Sequence, residues 1–251
     1  MGALVKGKSL VAAIAVISLL VAVVVACGGG GDNDEALQST LVPSSGATGT
    51  PAATPTAIPS ALEEQLRSMV LHVSDMPAGF SEVQESFSTN EEVAGEGEDA
   101  ADTLAQLTQW GRIMGHGVVF SSESSDQGGV LLVDATVSLY QSDSGASASF
   151  ADAVNTARTT DWSSTAGEAT NVTVEEIPSL DVADEMLWLR LNGTATIGDP
   201  PAEQPFIQDI VLLRVGRVRG SVSIVSSAAD VAPAVENMVR TQAANMAAGV
   251  E

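Results

Sequence analysis

The chain has 251 residues, 45% hydrophobic and 17% charged, with one cysteine and a formal net charge of −22. It is too apolar to be wholly disordered, and a single thiol cannot frame a disulfide mini-protein. Beyond residue 26 no apolar run reaches spanning length, which excludes a polytopic membrane protein.

The first 27 residues read MGALVKGKSLVAAIAVISLLVAVVVAC. Lys6 and Lys8 precede an apolar run from Leu10 to Ala26, broken only by Ser18. A positive start and an uncharged core are what a secretory signal needs, because the charges stay cytoplasmic while the core enters the bilayer. The run ends in Val24-Val25-Ala26-Cys27, followed by Gly28 to Gly31. This ending resembles the lipobox of bacterial lipoproteins. The resemblance implies cleavage before Cys27, acylation of its thiol, and attachment to a membrane through that lipid. Two or three acyl chains suffice, since each buried methylene contributes about 0.8 kcal/mol. The alternative is an uncleaved anchor, whose 17-residue run lies near the lower limit for a span. Either reading places the C-terminal bulk outside the cytoplasm. With Cys27 lipidated, the exported domain has no thiol and depends on its core alone.

Both lysines lie in the signal, so from Cys27 onward eight arginines face 32 acidic residues, a charge of about −24. Such a surface repels phosphate backbones and anionic headgroups, which argues against nucleic acid as a partner. It favours solubility and cations, and a body that stands off the membrane. Residues 27–60 are rich in Gly, Ser, Thr, Ala and Pro and cannot bury enough surface to offset their ordering entropy. They are expected to form a flexible tether reaching roughly 30 Å.

Residues 61–251 suffice for one domain of ordinary size. Ser60-Ala61-Leu62-Glu63 opens a helix that places Leu62, Leu66, Met69, Val70 and Val73 on one side, and Asp75-Met76-Pro77 stops it. Residues 82–99 are acidic and irregular, predicting a strand stub followed by a loop. A second helix is predicted from Asp99 to Met114, with Leu104, Leu107, Trp110 and Met114 inward. Val118–Ser122 and Val130–Tyr140 are β-rich and flank a hairpin loop at Ser124–Gly129. A helix from Gly145 to Arg158 would bury Ala148, Phe150, Ala151, Val154 and Ala157. Strands follow near Asn171–Ile177, Glu185–Asn192, Phe206–Arg214 and Val218–Ser226, the last two joined through Val215-Gly216-Arg217. Asp230 is expected to cap a last helix to about Ala248, with Val231, Val235, Met238, Val239 and Met246 inward and Gly249 ending it. Neighbouring strands with flanking helices indicate an α+β fold, an antiparallel sheet covered by helices in a single domain.

Asp75-Met76-Pro77-Ala78-Gly79-Phe80 resembles the opening of many exported bacterial lipoprotein domains. The Ser142–Ala153 segment, the Asp184–Arg190 strand, and the Leu213–Val218 hairpin with its long last helix are similar too. In element order, residues 62–248 resemble extracellular sensor-like domains of actinobacterial lipoproteins and receptor kinases, and the PsbP/Mog1-like sheet-and-helix fold. The resemblance implies binding or scaffolding rather than catalysis. The disulfide cysteines of some such sensor domains are missing here.

Candidate chemistry is sparse. Ser142-Asp143-Ser144-Gly145-Ala146 suggests a serine nucleophile at Ser144 with His116 as base, but there is no G-x-S-x-G and no orienting acid. Turn formation and helix capping alone explain these residues. Without lysine from Cys27 onward, serine–lysine catalysis is excluded. His72 and His116 lack the clustering a transition metal needs. Glu82, Glu85, Glu91, Glu92, Glu96, Glu98, Asp99 and Asp102 could attract calcium, but no D-x-D-x-D-G loop is present and a charge run is ordinarily a solvated face. Glu175-Glu176 and Asp184-Glu185 fail as glycosidase pairs, because adjacent strand residues face opposite ways. Trp110, Trp162 and Trp188 read as core. Arg214, Arg217 and Arg219 form the only basic cluster and suit an anionic ligand, the acidic loop or, as favoured here, internal charge balance. Asn171-Val172-Thr173 and Asn192-Gly193-Thr194 match the glycan acceptor pattern by chance. The expectation is therefore an extracytoplasmic, non-catalytic domain held to the membrane by Cys27, with no cofactor, that binds a small ligand, an envelope polymer or a protein. A lipid or glycolipid carrier, or an envelope hydrolase using Ser144, are the alternatives.

Overall fold

The computed structural model describes residues 60–97, 99–122, 130–165, 169–197, 202–227 and 231–250. The signal 1–26, Cys27, the linker up to residue 59, Glu98, the Ser124–Gly129 loop and Asp230 lie outside the described residues.

Seven strands form one sheet in the order β1-β2-β3-β7-β6-β5-β4, every neighbouring pair antiparallel. They are β1 (Phe80–Ser88), β2 (Arg112–Ser122), β3 (Val130–Tyr140), β4 (Thr170–Ile177), β5 (Glu185–Ile197), β6 (Ala202–Val215) and β7 (Val218–Ser226). Two meanders, β1-β2-β3 and β4-β5-β6-β7, therefore join edge to edge where β3 pairs with β7. Six helices accompany them among the described residues: α1 (Ser60–Met69), α2 (Asn90–Gly95), α3 (Ala100–Gln109), α4 (Asp143–Thr159), α5 (Trp162–Thr165) and α6 (Ala232–Val250). This is the expected α+β architecture, an antiparallel sheet covered by helices.

Side chains alternate across the sheet, so each strand serves two faces. One face carries Phe120, Val133, Val137, Trp188, Val211, Leu213, Val222 and Ile224, and packs on α1 and α6 through Leu66, Met69, Val235, Met238, Val239 and Met246. The opposite face carries Leu187, Leu189, Leu191, Ile210 and Leu212, covered by Phe150, Ala153 and Ala157 of α4 and by Trp162. The β6–β7 turn has Gly216 at φ +53, where a Cβ would be strained, as that turn requires.

Several boundaries differ from the sequence reading. Helix α1 ends at Met69 rather than at Asp75, and a 3-10 turn follows at Val73–Asp75. The Asp75 carboxylate accepts from the His72 N–H at 2.8 Å, a local bond that competes with helix continuation. Val73 is consequently 49% exposed instead of inward. The acidic stretch is not a stub and loop: β1 is a nine-residue strand and α2 a capped helix. There the Thr89 Oγ1 accepts from the Glu92 N–H and Glu92 accepts from the Thr89 N–H, a reciprocal capping box.

Helix α3 stops at Gln109 because Gly111 turns at φ +68, and Met114, though buried, belongs to β2. On α4 the inward residues are Gly145, Ala146, Ser149, Phe150, Ala153 and Ala157; Ala148 and Ala151 are exposed. Gly249 does not end α6. It lies within the helix, where a Cβ would run into the Met69 side chain.

Candidate functional site at the arginine corner

The described residues include all eight arginines, and five are paired with carboxylates. Arg67 meets Glu85 at 2.7 Å, Arg158 meets Glu176 at 2.8 Å, Arg190 meets Asp209 at 2.9 Å and Arg240 meets Glu236 at 4.0 Å. Arg214 holds Asp184 at 3.1 Å and also Glu185. Among the described residues Arg112, Arg217 and Arg219 have no such partner, in a chain where acids outnumber bases more than threefold.

These three lie at one corner of the sheet. Arg112 opens β2 opposite Tyr140, and Arg219 of β7 stands opposite Ser138. The Arg217 carbonyl accepts from the Tyr140 N–H at 3.0 Å. The C-terminal end of β3 thus has an arginine strand on either side. Arg112 and Arg219 both point to the α4 face, since Tyr140 bonds Ser149 of α4 at 2.7 Å and Arg219 Nη1 donates to the same hydroxyl at 2.8 Å.

Arg112 is 5% exposed and, among the described residues, bonded only to neutral oxygens. Its Nε donates to Ser138 Oγ at 3.2 Å, Nη1 to the Ser88 carbonyl at 3.2 Å and Asn90 Oδ1 at 3.0 Å, and Nη2 to Ser88 Oγ at 2.8 Å. Gly115 makes this possible, because a Cβ there would collide with the Arg112 guanidinium and lie 2.8 Å from Ser88 Oγ. Burial pushes the Arg112 guanidinium down to about 10; nearby Arg219 adds to that, against Tyr140 and Glu92. A desolvated cation without a countercharge is a costly arrangement, which hydrogen bonds to dipoles relieve only in part.

Away from Arg112 the same face remains open. Ser86 is exposed, and Ser88, Gly117, Thr136 and Arg219 are half-buried. Thr136 and Ser221 join hydroxyls at 2.7 Å, and Gln208 donates to Ser223 at 2.9 Å, so the floor is polar and built from small side chains. Asp134, two residues before Thr136, shares this face; burial raises its carboxyl to about 6.

The residues singled out from sequence fall elsewhere. Ser142 caps α4, its Oγ accepting from the Gly145 N–H at 3.2 Å, and Ser144 is exposed with its hydroxyl 3.1 Å from that of Ser142. His116 faces the other side of the sheet, stacked on Phe87 and 3.0 Å from Glu85. The sheet therefore separates Ser144 from its supposed base. Burial holds the His116 imidazole below its ordinary range, opposed by the Glu85 bond.

His72 is exposed, Trp162 and Trp188 are buried, and Trp110 is half-buried. Asp184 and Glu185, expected to diverge, converge on Arg214, because Asp184 precedes β5 and is free of its alternation. Arg214 thus fits the internal charge balance favoured from sequence, whereas Arg217 and Arg219 do not. In the acidic segment Glu85 bonds Arg67 and Glu92 caps α2, and among the described residues no group of three or more acidic, histidine or cysteine side chains is placed to hold a metal. Arg112 was not singled out by sequence reasoning; its only signal is an isolated arginine opening an apolar strand.

No family model and no curated protein matches this chain. Among solved structures it is similar to the extracellular domain of PknH from Mycobacterium tuberculosis, at 14% identity and a TM-score of 0.47, over 78% of this chain and 97% of that one.

Proposed function

We propose that the protein is a lipid-anchored, extracytoplasmic binding domain with no catalysis of its own. The observation that carries this reading is the only cysteine standing at the end of a 17-residue apolar run, directly before a glycine-rich segment. Acylation of Cys27 attaches the chain, and the acidic body is held off the anionic headgroups by repulsion. None of the helices among the described residues is long and apolar enough to cross a membrane. The open polar face beside Arg219 supplies a surface on which a ligand can be held.

Radiolabelled palmitate is expected to enter the wild-type protein and not Cys27→Ala, which should be released from the membrane fraction. Protease added to intact cells or spheroplasts should degrade the domain. Equal membrane retention of Cys27→Ala without label in the wild type would overturn the anchor, and a protected, cytoplasmic body would overturn the whole reading.

A further inference from the structure

We infer that the corner formed by Arg112, Arg217 and Arg219 is an oxyanion-binding site, taking the carboxylate or phosphate group of a small ligand. This deepens the binding-domain reading by naming the ligand's chemistry, and rests on it.

The argument is one of charge placement. In a chain with 32 acidic residues, carboxylates pair with five arginines, and the three without one are gathered by strand register at one end of β3. Arg214 stands opposite Arg219 at the same corner with Asp184 and Glu185 bonded to it, so four arginines there meet two engaged carboxylates. Asp184 and Glu185 beside the corner are taken up by Arg214 and the Gly216 N–H, Asp143 in the first turn of α4 forms no bond to any of the three among the described residues, and Glu92 is engaged at the Thr89 cap. A folded acidic protein that gathers an excess of positive charge in one place presents the complement of an anion.

The donors are also of the right kind. Arg112 is fixed by Ser88, Asn90 and Ser138 and contributes charge from beneath. Arg219 is oriented through Nη1, and among the described residues its Nε and Nη2 and the Arg217 guanidinium make no hydrogen bond. A guanidinium edge with two free N–H groups fits a carboxylate or phosphate in a bidentate manner. Half-buried Ser88 and exposed Ser86 lie on the approach, so an oxyanion would enter a partly desolvated site where the attraction is less screened than at the surface.

The test uses the full chain in a neutral detergent. Inorganic phosphate and, separately, succinate are titrated against sodium chloride at equal ionic strength, read by calorimetry and by the thermal midpoint. At least one oxyanion should bind and raise the midpoint beyond the chloride control, and which of the two does so assigns the ligand as phosphate or carboxylate. Arg219→Gln should weaken that binding at least about tenfold, whereas Arg240→Gln, on an exposed face of α6, should bind as the wild type does. Arg112→Gln should weaken it also; should that variant fail to fold, Arg219→Gln still decides. If neither oxyanion exceeds chloride, or if Arg219→Gln binds as tightly as the wild type, the corner is a structural clamp and the inference is wrong. Either of those results would leave palmitate labelling at Cys27 untouched, so failure of the site and failure of the anchored-domain reading are distinguishable.

Discussion

At the residue scale the polar face carries a measurable signature in Asp134. Its carboxyl is raised from 3.8 to about 6 by burial, with no cation bonded to it among the described residues. A carboxyl whose folded pKa lies above its unfolded value binds its proton more tightly in the native state. The stabilisation is therefore present below about pH 4 and lost as pH rises through 6. Asp134→Asn removes that ionisation and should raise stability at pH 7.5 by about 1–3 kcal/mol, with the gain shrinking towards zero at pH 4. Urea midpoints of the two proteins at both pH values check this, and an equal gain at both would refute the titration as its cause. The arginine corner itself could not be read from the sequence. Arg112 and Arg219 are far apart in the chain and meet only through the registers of β2, β3 and β7. Charge spacing along a chain contains no register information, which is why Arg214 and Arg219, alike in sequence and opposite each other across β6 and β7, could not be told apart by their partners, two carboxylates for one and Ser149 for the other.

At the scale of elements, strands with clear alternation were legible: β2, β3, β5, β6 and β7 stand within a few residues of expectation, or up to six at the first end of β2. β1 was not, because an edge strand has one neighbour and much of its surface in water. Of its nine residues only Phe80 is buried, so its acidic sequence looks like a loop. Of the residues expected inward on α4, Phe150 and Ala157 are buried and Val154 packs half-buried against them, while Ala148 and Ala151 face water, because alanine suits a buried or an exposed helix position equally well and only the small residues needed beneath Trp110 and Tyr140 decide. Gly249 illustrates a related ambiguity: glycine near a helix end signals a cap, but here it permits α6 to approach α1. Gln65 Nε2 donates to the Gly249 carbonyl at 2.8 Å, and a Cβ on Gly249 would overlap the fully buried Met69. Alanine is favoured over glycine within a helix by about 1 kcal/mol, but overpacking of a filled core costs about 1–3 kcal/mol. Gly249→Ala is expected to lower the denaturant midpoint for that reason; a rise would mean that Met69 has room to swing away.

At the scale of the whole molecule the fold is two layers of helices around a central sheet, and this much followed from the run of strands and flanking amphipathic segments. The formal charge of −22 acts on all of it at once. Self-repulsion of that size destabilises a compact body and is screened as the Debye length shortens, from about 30 Å at 0.01 M salt to about 8 Å at 0.15 M. The thermal midpoint should therefore climb with sodium chloride over that range, and a flat or falling response would show that the ion pairs at Arg67, Arg158 and Arg214 outweigh the repulsion. The outermost strands give the same charge a further role. β1 presents Glu82 and Glu85 around an exposed Val83, and β4 presents Glu175 and Glu176 beside an exposed Val174. An unpaired strand invites a neighbouring copy to continue its ladder, and exposed valines would favour that growth. Arg67 and Arg158 offset Glu85 and Glu176, which leaves Glu82 and Glu175 without a bonded cation among the described residues, and copies crowded side by side are expected to repel one another there. Like charge at each rim is then a guard against polymerisation, and added salt, which screens it, should weaken that guard.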